Sequence, residues 1–216
     1  MAKNSVWQDD YWLMLMQAYL RRPVGMKPVY SREMVELSME LHIHPKALNR
    51  RMQQIDRLET PRIERIWKQY STNPKRLARA VRLLREMNGF GAADDFYEGV
   101  EVQETFERDF RPLAEDKRFT PAMLIILLDL YYQLTPSTMI SETPDVGEVA
   151  KLLKISADEE VDVLNIYQLC DPCLKRHDFI IHPLLEPCQQ IWQRYGNDSP
   201  EKLAALAAQL KDYFLK

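Results

Sequence analysis

The feature that most limits how this chain can fold is that its second half repeats its first in order. Leu13–Leu20 matches Ile125–Tyr132, setting Tyr19 against Tyr131, and Glu36–Ile43 matches Glu148–Ile155 at the same offset of 112 residues. Ile66-Trp67-Lys68-Gln69-Tyr70 then matches Ile191-Trp192-Gln193-Arg194-Tyr195 at an offset of 125, and each is followed by a proline-started segment rich in Leu and Ala. Four collinear segments point to two related modules. The 13 extra residues fall between Cys170 and Pro187, where Asp178-Phe179-Ile180-Ile181-His182 suits a short strand or a wing-like loop.

The period of the apolar residues is helical. Trp12, Leu15, Met16 and Tyr19 predict a helix over 7–20, ended by Arg21-Arg22-Pro23 because the residue before proline is pushed out of the α region. Ser31 suits the N-cap of a helix over 32–41, and further helices are predicted over 45–58, 61–70 and 74–87, three of them opened by proline. Gly89 and Gly91 then mark a boundary. Only six glycines in 216 residues, among abundant Leu, Met, Ala, Glu, Arg and Gln, agree with an all-α chain. The predicted organisation is a basic module over 1–90, an acidic aromatic connector over 91–117 and an acidic module over 118–216. Phe96, Tyr97, Val100, Phe106, Phe110 and Leu113 predict that the connector packs rather than floats.

Within the first module, Glu36–Met52 carries a bipartite pattern. Leu37 and Leu41 share one face of a first helix, Ile43 sits at a turn, and Leu48, Met52 and Ile55 recur on one face of a second. His44 suits the N-cap between them and Pro45 the first helical position. This stretch resembles the helix-turn-helix superfamily, with His42 where such turns often carry glycine. Glu148–Leu164 resembles it more closely, with Val149, Leu152, Leu153, Ile155, Val161 and Leu164 as its apolar positions. The resemblance implies DNA binding, with the second helix in the major groove. If Leu48, Met52 and Ile55 face inward, Lys46, Asn49, Arg50 and Gln53 face outward, toward base edges. Arg51 and Arg57 stand beside them as phosphate contacts.

Charge separates the two copies. The net charge of −3 divides into +8 over residues 1–90 and −11 over 91–216. Arg62, Arg65, Lys68, Lys75, Arg76, Arg79, Arg82 and Arg85 continue the positive charge of the first module. At the start of the second helix in the second copy stand Asp158, Glu159, Glu160 and Asp162. Carboxylates there repel phosphate, although they suit the positive end of a helix dipole. The expected partners are therefore double-stranded DNA for the first module, and a protein partner or a second copy of the chain for the second. This is the pattern of a DNA-binding protein of the transcriptional-regulator kind. The alternative is a non-enzymatic interaction scaffold in which the basic and acidic surfaces pair and no DNA is bound.

Other chemistry is thin. The longest apolar run, Ala122–Leu128, is far short of the ~20 residues that span a bilayer. The first ten residues lack a signal-peptide core, and three cysteines suit free thiols in the cytoplasm. Cys170, Cys173, His177, His182 and Cys188 lie close enough in sequence to raise the question of zinc. Their spacing fits no standard zinc pattern, and the repeat aligns Cys170 and Cys188 with Leu58 and Ile63, as buried thiols. His42 and His44 suit turn and cap roles. No phosphate loop, nucleophile elbow or metalloprotease motif is present, so no catalytic residue, metal or cofactor is expected.

Overall fold

Prolines and side-chain caps set where the helices begin. The computed structural model describes residues 7–87, 90, 106–174 and 181–215, and every regular element among them is helical. The chain divides into two compact units, Met1–Thr105 and Phe106–Lys216.

The first unit contains α1 (Tyr11–Leu20), α2 (Arg32–Leu41), α3 (Pro45–Asp56), α4 (Pro61–Tyr70) and α5 (Pro74–Arg85). Proline opens α3, α4 and α5, where its missing N–H costs nothing. The side chains of His44, Thr60 and Asn73 accept the N–H groups of Lys46, Ile63 and Arg76. Tyr11, Trp12, Met14, Leu15, Met16, Ala18 and Tyr19 are all buried, so α1 has no solvent stripe and is the central helix. α2, α3 and α5 pack around it.

Three boundaries differ from the periodicity. Trp7 precedes α1 rather than opening it, and packs edge-on against Tyr11 and Trp12. α3 stops at Asp56 because Leu58 takes a positive φ of 50°. α5 stops at Arg85. Ser31 stands at the N-cap of α2 but makes no side-chain cap bond.

The second unit contains α6 (Phe106–Phe110), α7 (Pro121–Gln133), a 3-10 turn (Pro136–Thr138), α8 (Pro144–Leu153), α9 (Ala157–Cys170), α10 (Leu185–Ile191), a π turn (Trp192–Gly196) and α11 (Pro200–Phe214). Its central helix is α7, buried from Pro121 to Tyr131. α6, α8, α9, α10 and α11 pack on it. Of the connector expected over 91–117, residues 91–105 lie outside the described residues and 106–117 fall in this unit. Residues 178–180 of the expected wing also lie outside them, while Ile181 and His182 adopt no regular structure. No helix among the described residues is long and apolar enough to cross a membrane.

Several details recur between the units. α2 and α8 are each ten residues and begin and end 112 residues apart. Each ends on a left-handed residue, His42 (φ 53°, ψ 34°) and Lys154 (φ 61°, ψ 39°). The N–H of the next residue, Ile43 or Ile155, then reaches back to Ser38 O or Ala150 O, both at 3.1 Å. That is the closing bond of a Schellman cap, made without glycine. On α5 the buried residues are Leu77, Val81 and Leu84; on α11 they are Leu203, Ala207 and Leu210, each 126 residues later.

Candidate nucleic-acid interface

α3 has a buried and an exposed side. Leu48 and Met52 are fully buried and Ile55 nearly so, which fixes the rotation of the helix. At about 100° per residue, Lys46, Arg50, Gln53 and Arg57 fall within an arc of roughly 60° on the opposite side. All four are exposed. From Lys46 to Arg57 the face runs about 16 Å along the axis.

The other two candidate residues, Asn49 and Arg51, make contacts within the unit. Asn49 is half-buried, and its amide donates to the backbone oxygen of Lys27 at 3.1 Å. It ties α3 to the connection between α1 and α2. That connection is itself held by the buried Lys27, whose ammonium donates to Arg21 O at 2.8 Å and to Pro23 O. Arg51 lies off the exposed arc. Its guanidinium sits 5.0 Å from the Trp7 ring centroid and 5.8 Å from that of Trp12, so it caps an aromatic pair.

The entry to α3 is set by a neutral imidazole. His44 Nδ1 accepts from the Lys46 N–H at 3.1 Å. Burial, and then the nearby Lys46 ammonium, hold its pKa below the usual histidine value, which keeps that nitrogen an acceptor. At the far end of α3, Tyr19 Oη donates to Asp56 Oδ1 at 2.6 Å, and the Tyr19 ring meets Trp67 edge-on at 5.9 Å. The bond to Asp56, with some burial, pushes the Tyr19 phenol up to about 12. The second unit makes the same pair of contacts: Tyr131 Oη donates to Asp171 Oδ2 at 2.7 Å and its ring meets Trp192 at 5.8 Å.

Positive charge on α4 and α5 is partly neutralised inside the unit. Arg85 makes a bidentate pair with Glu40 at 2.5 and 2.8 Å, Arg62 meets Asp9 at 2.7 Å, and Arg82 meets Glu86 at 3.6 Å. Arg65 donates to Pro61 O, and Arg76 lies over the Tyr70 ring. Lys68, Lys75 and Arg79 are exposed.

α9 presents the opposite charge at matching positions. Asp158 and Asp162 stand 112 residues after Lys46 and Arg50, and both are exposed. The expected row of four surface carboxylates is nevertheless wrong. Glu159 closes a capping box with Ser156 and pairs with Arg118. Glu160 is fully buried, at the place that Leu48 fills in α3, while Val161, expected in the core, is half-exposed.

No protein-family model, curated protein or solved structure matches this chain. Among the described residues no group of three or more His, Cys, Asp and Glu side chains is placed to hold a metal. Cys188 is buried, Cys170 half-buried and Cys173 exposed. His182 Nδ1 accepts from the Leu184 N–H at 3.1 Å, a local bond ahead of α10, and His177 lies outside the described residues.

Proposed function

We propose that the protein binds double-stranded DNA through the exposed face of α3, with α2 and α3 acting as a helix-turn-helix and the second unit serving assembly or partner binding. Such an arrangement would suit a transcriptional regulator. One observation carries the reading: Lys46, Arg50, Gln53 and Arg57 are exposed on a single face of a helix whose other side is locked into a core. An α-helix fits the ~12 Å major groove, where Arg pairs with guanine, Gln with adenine and Lys with either guanine or phosphate. The paired left-handed caps at His42 and Lys154 support a shared helix-turn-helix plan in the two units.

Charge supports dividing the labour. The Lys46 and Arg50 positions are held by Asp158 and Asp162 in α9, which disfavours phosphate there and favours a basic or polar protein partner. A scaffold that binds no DNA is the second reading. It is favoured by the engagement of Arg62, Arg82 and Arg85 with Asp9, Glu86 and Glu40. A salt titration of the full chain against mixed-sequence duplex separates them: the first reading expects binding at low salt that weakens steeply with ionic strength, the second expects none.

A further inference from the structure

Glu160 is the one fully buried carboxylate among the described residues, and neither of its oxygens has a hydrogen-bond partner. It lies in the first turns of α9, which packs against α7, α8 and α10. The corresponding position in α3 is Leu48, also fully buried. The site is therefore a core position that an aliphatic side chain fills in the sister unit, and the carboxylate is not needed to complete any described polar network. A neutral acid in such a place is tolerable. An ionised one, buried and unpaired, is not.

The surrounding charges offer little relief. α7 contributes Asp129, whose Oδ2 accepts from Gln133 at 2.8 Å. α8 carries Asp145, Glu148 and Lys151, and α10 carries Glu186 and the thiol of Cys188. On α9 itself Glu159 is engaged by Ser156 and Arg118, Asp158 accepts from Ser141, and Asp162 faces solvent. None of these hydrogen-bonds Glu160; the Lys211 ammonium of α11 attracts it without a hydrogen bond. Burial outweighs its attraction and pushes the Glu160 carboxyl up to about 8.

We propose that Glu160 is a proton-linked latch: its neutral carboxylic acid keeps the first half of α9 docked in the second unit, and loss of that proton loosens α9 from α7, α8 and α10. In the unfolded or opened chain the side chain ionises near the ordinary carboxylate value. Between that value and about 8 the docked unit holds one more proton than the open one. Docking is therefore strongest in mild acid, weakens as pH rises through neutrality, and levels off above about 8. The latch is independent of DNA binding by the first unit. It makes the acidic surface of α9, with Asp158 and Asp162, a surface whose presentation depends on pH near neutrality.

Amide hydrogen exchange across α9 in the full-length protein, corrected for intrinsic rates from pH 5.5 to 9, tests the latch. In the wild type the α9 opening constant should rise by up to about tenfold per pH unit until it levels near pH 8. Glu160→Leu, which restores the residue type of position 48, should slow α9 opening and remove this dependence. Glu160→Gln should remove the dependence while keeping the shape of the side chain, and serves if the leucine variant misfolds. A carbon-detected titration of the wild-type Glu160 carboxyl should give a midpoint well above the ordinary value. Parallel pH profiles for wild type and both variants, or a midpoint in the ordinary carboxylate range, would overturn the proposal.

Discussion

Replacing Gly196 with alanine should destabilise the second unit, while the same change at Gly147 should stabilise it. A Cβ at Gly196 would lie 2.8 Å from Trp192 Cδ2 and Cε2 and 2.9 Å from Cγ. Carbon atoms in contact ordinarily sit about 3.5–4.0 Å apart, so the overlap is about 0.7 Å or more. The indole has little freedom to yield. It is 9% exposed, stacks on Tyr132 at 5.9 Å, and meets Tyr131 and Tyr167 at 5.8 and 6.3 Å. The backbone is held too, since Tyr132 Oη donates to Gly196 O at 2.7 Å. Overpacking of this kind costs about 1–3 kcal/mol. The entropy that alanine removes from the unfolded chain returns about 0.4–1 kcal/mol. The central values leave a net loss of about 1.3 kcal/mol, or a fall in Tm of roughly 5–10 °C for a unit of this size. Gly147 lies inside α8 with nothing within 4 Å of its Cβ position. There only the helix-propensity gain remains, about 0.5–1 kcal/mol, and Tm should rise by a few degrees. Calorimetry on the full chain reads both. A Gly196→Ala protein as stable as wild type, beside a Gly147→Ala protein that is less stable, would refute the packing described for Trp192.

Two further outcomes concern α3. Because the folded pKa of His44 is lowered, the cap is intact above the unfolded value and is lost as pH falls below about 6.5. Stability of the first unit should decline through that window, and His44→Asp, which caps without an imidazole, should shift the decline to lower pH; urea midpoints between pH 5 and 7.5 read this. Arg51→Ala should lower the stability of the first unit by ~1 kcal/mol through loss of its contacts with Trp7 and Trp12, yet leave the salt dependence of DNA binding unchanged.

Much of the fold was legible because it is written in periodicity and punctuation. Pro45, Pro61 and Pro74 each open the helix expected of them, and the inward residues Leu48, Met52 and Ile55 are all buried. What misled was local. Trp7 has helical spacing from Tyr11 yet reaches the core through a turn. Leu58 ends α3 in a left-handed conformation that no glycine announces. Glu160 and Val161 hold each other's expected places: the charged residue is buried at the position, 112 residues after Leu48, where α3 has an aliphatic side chain, and the apolar one is half-exposed. The Tyr131–Asp171 bond was hidden for a different reason. α9 runs two residues longer than α3, and Asp171 is its C-cap whereas Asp56 is the last residue of α3, so the partner stands 115 residues after Asp56 rather than 112. Lys46, Arg50, Gln53 and Arg57 are exposed, as the period of the apolar residues implies, while the long-range contacts of Asn49 and Arg51 come from parts of the chain outside the motif.

The most direct test of the DNA-binding reading is the salt dependence of duplex binding by the full chain and by a Lys46→Asp, Arg50→Asp protein, which carries the residues α9 has at those positions. Three cations on the α3 face, Lys46, Arg50 and Arg57, give a slope of log affinity against log salt of about −3, or roughly 40-fold between 50 and 200 mM. The double variant should bind far more weakly, with the slope smaller by about 2. A wild-type chain that fails to retard duplex at 50 mM salt, or a double variant that binds with the wild-type affinity and slope, would contradict the account.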